Sequence, residues 1–333
     1  MSTKINNGGK QQPYIPKGNG DESGEYRNNE TGINKGQYNA QVVNNYYQYN
    51  TKPLNVNTQN ENAKKTIKEK INFKESSPEQ KDSYLEKYGY NKPDVNDYLN
   101  KIDIETNKGF TDMHSSKERE TQDIKFINDE INKQRASRKI KYEKKAIFIL
   151  GLLASGKSSV ANPLINKLGA YEIDPDIFKE NYIPEYNVYT KGDGIGVSRV
   201  HKESSDMAKE MQRLVASNGA NIVVPTVGGN VKKTIEKISK LTDLGYSVDV
   251  VLAQLPLEKA LQRNMSRYEQ GKAKGNARLV RPDLINGQEG KPIDTYEQLK
   301  ESNLITNYGA WSTDVNYGEK PILIEKSDNM LDL

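Results

Sequence analysis

The chain contains no cysteine, one tryptophan and two histidines. Without thiols it can form no disulfide, thiolate metal centre or cysteine nucleophile. No run of eighteen apolar residues occurs, and the opening MSTKINNGGKQQPY has no apolar core. Neither a membrane span nor a leader is therefore expected, and the default is a cytoplasmic protein. Excess charge of one sign is also missing: 49 Lys and Arg stand against 45 Asp and Glu. A nucleic-acid partner is not expected, because such proteins concentrate positive charge on one face. Leucine is scarce at the start, with Leu54 alone in residues 1–60, which are crowded with Asn, Gln, Gly and Tyr. Such a segment cannot bury enough apolar surface to offset chain entropy, so residues 1–60 are predicted to be a disordered tail.

Residues 61–144 are highly charged and predicted to be helical with breaks. Ser77-Pro78-Glu79-Gln80 combines a capping serine, proline at the first helical position and a capping-box glutamine, and Gly89 would end that helix. A longer helix is predicted over 116–141, with Ile124, Ile127, Ile131 and Ile140 on or near one face. That stripe would pack on the downstream domain or on a partner.

From residue 145 to 333 the pattern changes. Apolar strands at 146–150, 171–173, 221–224 and 247–253 alternate with helices at 158–168, 200–217, 231–244 and 256–270, and a last strand is expected at 322–324. Gly169 and Gly219 end two of those helices. This alternation predicts an α/β domain, a parallel sheet flanked by helices on both faces, whose ligand site lies at the carboxyl ends of the strands.

The first strand runs into Gly151-Leu152-Leu153-Ala154-Ser155-Gly156-Lys157-Ser158, followed by Ser159, which satisfies G-x-x-x-x-G-K-[ST]. Such a loop curls so that backbone N–H groups point at phosphate oxygens, and the following helix N-terminus adds partial positive charge. Lys157 would reach the β- and γ-phosphates of ATP or GTP, and the Ser158 hydroxyl would ligate Mg²⁺. The nucleotide-binding set is therefore Gly151, Ala154, Ser155, Gly156, Lys157, Ser158 and Ser159. Asp174 and Asp176 follow the second strand. One carboxylate would take the proton of an attacking hydroxyl and the other would orient the acceptor or hold metal through water, unless the pair only supplies the N-cap of a helix over 177–181. Arg263, Arg267, Arg278 and Arg281 form a late basic group suited to the charge on a transferring phosphate. His201 and Glu203 at the start of the central helix, and Thr226 after the third strand, are candidates to line the acceptor site.

Together GLLASGKSS, EIDPDIFKENYIPEY, VHKESSDMAKEM, GANIVVPTVGGN and LPLEKALQRNMSRYEQG resemble, in order and spacing, the zeta toxin family of P-loop kinases. The resemblance implies that Lys157 and Ser158 bind triphosphate and Mg²⁺, that Asp176 is the general base, and that Arg267 and Arg278 contact the nucleotide phosphates. It also implies a small-molecule acceptor, UDP-N-acetylglucosamine in the best-known members, and an antitoxin partner. The chain departs from the family at Pro225, where an acidic residue is usual, and at Lys209, where a glutamate is usual. Both positions belong to the acceptor half of the site. The expectation from another class is a nucleotide-binding scaffold or phage-associated module without turnover.

Overall fold

The computed structural model describes isolated positions between 77 and 95, then residues 116–191, 197 and 200–333. The predicted tail, 1–60, lies outside the described residues. All described residues fall in one compact unit, Asn60–Leu333.

The elements are α1 (Lys117–Ser137), β1 (Lys145–Leu150), α2 (Lys157–Leu168), β2 (Tyr171–Glu172), α3 (Pro175–Asn181), α4 (Pro184–Lys191), α5 (His201–Ser217), β3 (Ile222–Thr226), α6 (Val231–Thr242), β4 (Ser247–Gln254), α7 (Leu257–Ala273), α8 (Pro282–Asn286), α9 (Lys291–Lys300), β5 (Asn307–Ser312) and β6 (Ile322–Lys326). One sheet has the order β2-β3-β1-β4-β5-β6. The first five strands are parallel, whereas β6 pairs antiparallel with β5. The predicted last strand thus exists but runs against the others. Five parallel strands need crossover connections, which supply helices to both faces.

Alternation along the strands divides the core. Ile147, Ile149, Val223, Val251, Ala253 and Trp311 meet Val160, Ala161, Leu164 and Ile165 of α2. Ala146, Phe148, Leu150, Val248, Val250 and Leu252 are also buried, and by alternation they face the other side. There α6 and α9 pack on β4. Pro225 sits inside this sheet because its missing donor falls where none is needed. The carbonyls of Asn221 and Val223 accept from Tyr171 and Ile173, so the backbone of Pro225 also faces the β2 side, beyond the end of that strand.

A second core surrounds α7, and the charged region contributes to it. Tyr90 and Val95 are buried among Leu261, Met265 and Tyr268. The Tyr90 hydroxyl donates to the Leu261 carbonyl at 3.2 Å and accepts from Asn264 at 2.8 Å. Helix α1 starts at its cap Ser116, whose hydroxyl accepts from the Arg119 amide. Its buried face is Ile127, Glu130, Ile131 and Gln134, while Ile124 is exposed and Ile140 lies beyond the helix. The isoleucine stripe was therefore a partial guide. Polar Gln134 is buried because its amide exchanges hydrogen bonds with the backbone of Glu172, extending the free edge of the two-residue β2.

Candidate nucleotide and phosphotransfer site

The phosphate loop spans the end of β1 and the start of α2, where the sequence placed it. Ala154 holds a left-handed φ of 61°, as does the helix cap Gly156 at 77°. A non-glycine residue in that region is uncommon, and such conformations concentrate at binding loops. Gly151 admits no side chain, since a Cβ would lie 2.7 Å from both the Ala253 carbonyl oxygen and Ser155 Oγ. The Ser155 hydroxyl is buried with no hydrogen-bond partner. A buried orphan hydroxyl inside such a loop fits a phosphate oxygen. Ser158 is exposed at the second residue of α2, and Ser159 Oγ is bonded to the Gly156 carbonyl.

Lys157 folds back over the loop and donates to the carbonyls of Gly151 and Leu152 at 3.0 and 2.8 Å. Burial pushes its ammonium down to about 8, against the opposing pull of Asp174 and Asp176. The lysine thus stands within the field of both carboxylates.

Those carboxylates have different roles. Asp174 caps α3, its Oδ1 accepting from the Asp176 amide at 2.9 Å, and the helix starts at Pro175, two residues before the expected 177. Burial and the neighbouring charge of Asp176 push its carboxyl above the usual range. Asp176 faces cations instead: Lys179 donates to Oδ1 at 2.8 Å and Arg278 to Oδ2 at 2.7 Å. Burial raises the Asp176 carboxyl, but Arg278 and Lys179 outweigh it and hold it far below the usual carboxylate range. Two carboxyls two residues apart are thus driven in opposite directions by their surroundings.

The late arginines split. Arg267 and Arg278 line a cleft of about 1520 Å³ beside Gly156 and Ser159. Arg278 also donates to Glu180 at 3.3 Å. Arg263 lines the same cleft, but its guanidinium is taken by the carbonyls of Thr313 and Val315, at 2.6 and 3.1 Å. Arg281 is paired with Asp283. Sequence reasoning missed Thr313, which is buried and donates from Oγ1 to the Ser155 carbonyl at 2.6 Å, tying the phosphate loop to the segment after β5. No local pattern marks it. It also missed Lys179, although its spacing of three from Asp176 on one helix was visible.

On the acceptor side, His201 is exposed at the first residue of α5, where the charges of Lys179, Asp176 and Arg278 act on it. Glu203 is buried and held by Arg119 of α1, which also forks onto both oxygens of Glu185. Thr226 ends β3 beside Leu150, at the mouth of the phosphate loop. The glycines that follow serve packing. A Cβ on Gly228 would lie 2.9 Å from the Leu150 side chain, and one on Gly229 would overlap the Gln288 amide.

A phosphate loop after the first strand of a mostly parallel sheet flanked by helices defines a P-loop kinase fold. The sequence model of the family described as Zeta toxin matches residues 128–307, more than half of the chain. The protein belongs to the zeta toxin family. Among solved structures it is similar to a chain from the PezAT chromosomal toxin–antitoxin system of Streptococcus pneumoniae. The two share 16% identity and a TM-score of 0.51, over 64% of this chain and 83% of that one. It is also similar to the AvrRxo1-ORF1:AvrRxo1-ORF2 structure with sulphate ions, at 18% identity and a TM-score of 0.46, over 63% of this chain and 67% of that one. At such identities the PezAT likeness is one of fold. No curated protein matches the sequence. No helix among the described residues is long and apolar enough to cross a membrane.

Proposed function

We propose that the protein is a phosphotransferase that moves the γ-phosphate of ATP or GTP to the hydroxyl of a small molecule, with UDP-N-acetylglucosamine as the first acceptor to test. The observation that carries this reading is the electrostatic grouping of Lys157, Asp176, Arg267 and Arg278, of which the two arginines line the cleft beside Gly156. Phosphoryl transfer requires little of a protein beyond positioning and charge stabilisation. In this reading the backbone of 151–158 cradles the phosphates, Lys157 leaves its own loop carbonyls for them, and Arg267 and Arg278 neutralise the transferring group. Asp176, kept ionised, takes the proton of the acceptor hydroxyl, while Asp174 fixes the first turn of α3. His201 and Thr226 border the acceptor. The exposed hydroxyl of Ser158, in the first turn of α2, would ligate a Mg²⁺ ion arriving with the nucleotide. Bound there, the ion would neutralise charge between the β- and γ-phosphates.

Family membership supports a toxin role, and the PezAT likeness supports an antitoxin as partner. The test is transfer of label from γ-labelled ATP to UDP-N-acetylglucosamine, run beside growth arrest on expression. Wild-type protein should do both, and Lys157→Ala and Asp176→Ala should do neither. Arrest that survives Asp176→Ala would refute the catalytic account.

A further inference from the structure

Asp176 carries a contradiction for the phosphotransfer reading, because the base and a phosphate-binding arginine hold each other. Arg278 occupies Oδ2 at 2.7 Å and Lys179 occupies Oδ1 at 2.8 Å. A carboxylate gripped on both oxygens is a poor base, and an arginine committed to a carboxylate is a poor phosphate ligand.

The two cations differ in how freely they can leave. Lys179 lies three residues beyond Asp176 on α3, so its grip survives any movement that keeps the helix intact. Arg278 comes from the segment after α7, a separate element that lines the cleft together with Glu180 of α3. Triphosphate entering that cleft offers it a stronger, bidentate partner. Lys179 is itself only 5% exposed. An apolar residue of similar volume would usually cost less there than a buried ammonium, so packing does not account for it.

We infer that Lys179 is a positioning residue that pins Oδ1 of Asp176, and that Arg278 is a removable cap on Oδ2, drawn off by the nucleotide phosphates. This inference rests on the phosphotransfer reading above and assigns work within it. Oδ2 is then the oxygen that receives the acceptor's proton. The acceptor oxygen bonds to the γ-phosphorus as the bond to the bridging oxygen breaks, and that electron pair leaves with the nucleoside diphosphate. The base is thus uncovered only when a phosphate donor is in place. Other charged or titratable groups act on the pair: Asp174 and Glu180 flank it, Arg267 reaches it from α7, Tyr186 from α4, His201 from α5, and Lys157 from α2.

The test is the titration of the Asp176 carboxyl, followed by carbon NMR in the full chain and assigned through Asp176→Asn, with and without the non-hydrolysable analogue AMP-PNP. In the wild type, AMP-PNP should raise the Asp176 midpoint as Arg278 departs, while Lys179 still keeps it below the ordinary range. In Lys179→Met the AMP-PNP complex should bind the proton about tenfold more tightly than the wild-type complex. Lys179→Arg should restore the wild-type value. Arg278→Met guards against a Lys179 variant that fails to fold: without nucleotide it should titrate like the wild-type complex, and AMP-PNP should no longer move it. Identical midpoints for wild type and Lys179→Met in the complex would overturn the role of Lys179. A wild-type midpoint that ignores AMP-PNP would overturn the cap. If AMP-PNP leaves the amides of 151–158 undisturbed, the phosphotransfer reading falls with the inference, and that failure is recognisable by itself.

Discussion

Replacing Arg119 by alanine tests whether α1 is part of the folded α/β domain. Arg119 precedes residue 128, where the family match begins, and its side chain is 13% exposed. Nε donates to Glu203 Oε1 at 2.5 Å, and Nη1 and Nη2 reach Glu185 at 3.1 and 2.9 Å. Glu203 is 1% exposed, so alanine removes the guanidinium from a carboxylate that stays inside. Breaking a buried pair in this way costs about 3–5 kcal/mol, whereas the part-exposed Glu185 contact adds at most about 1 kcal/mol. For a domain of this size the change lowers Tm by roughly 6–20 °C. Urea unfolding followed by circular dichroism measures it directly. Adding Glu203→Gln should recover part of the loss, because the charge needing a partner is gone. A loss below about 0.5 kcal/mol for Arg119→Ala would refute this reasoning. It would return Glu203 to the acceptor site, and transfer activity of Glu203→Gln would then be the decisive measurement.

Lys157, pushed down to about 8 by burial, binds fewer protons folded than unfolded between that pH and its ordinary value. The nucleotide-free protein should therefore gain stability as pH rises through that window, and Lys157→Met should abolish the gain in pH-dependent unfolding. Affinity for AMP-PNP should fall over the same window as the ammonium is lost, a trend calorimetry would find flat in Lys157→Met. Thr313→Val removes the donor to the Ser155 carbonyl and should weaken AMP-PNP binding by about 1 kcal/mol, roughly fivefold, without unfolding the chain. Unchanged affinity would show that the phosphate loop holds its shape alone. Gly169→Ala places a Cβ 2.6 Å from the Lys139 carbonyl at a φ of 61°, and thermal unfolding should show a loss of more than about 1 kcal/mol.

What the sequence made legible was whatever depends on near neighbours. The phosphate loop is eight consecutive residues whose backbone does the work, so spacing alone located it. Helices α2 and α5 announced themselves by their glycine stops, and α5 also by its apolar period. Strand β5 did not: NYGAWS has no apolar run, and it is a strand because β4 and β6 flank it. Four arginines in one stretch looked like one group, yet two of them are spent on other partners. Arg263 meets carbonyls fifty and fifty-two residues downstream, and Arg281 meets Asp283 nearby. A charge count cannot separate these from Arg267 and Arg278, because the difference lies in which partner the fold brings within 3 Å. Asp174 and Asp176 show the same limit at the shortest range. As sequence they are alike, but the helix start claims Asp174 as a cap and turns Asp176 towards the cations. The partner on Asp176 Oδ2 is Arg278, 102 residues further along the chain, a pairing that no local pattern announces.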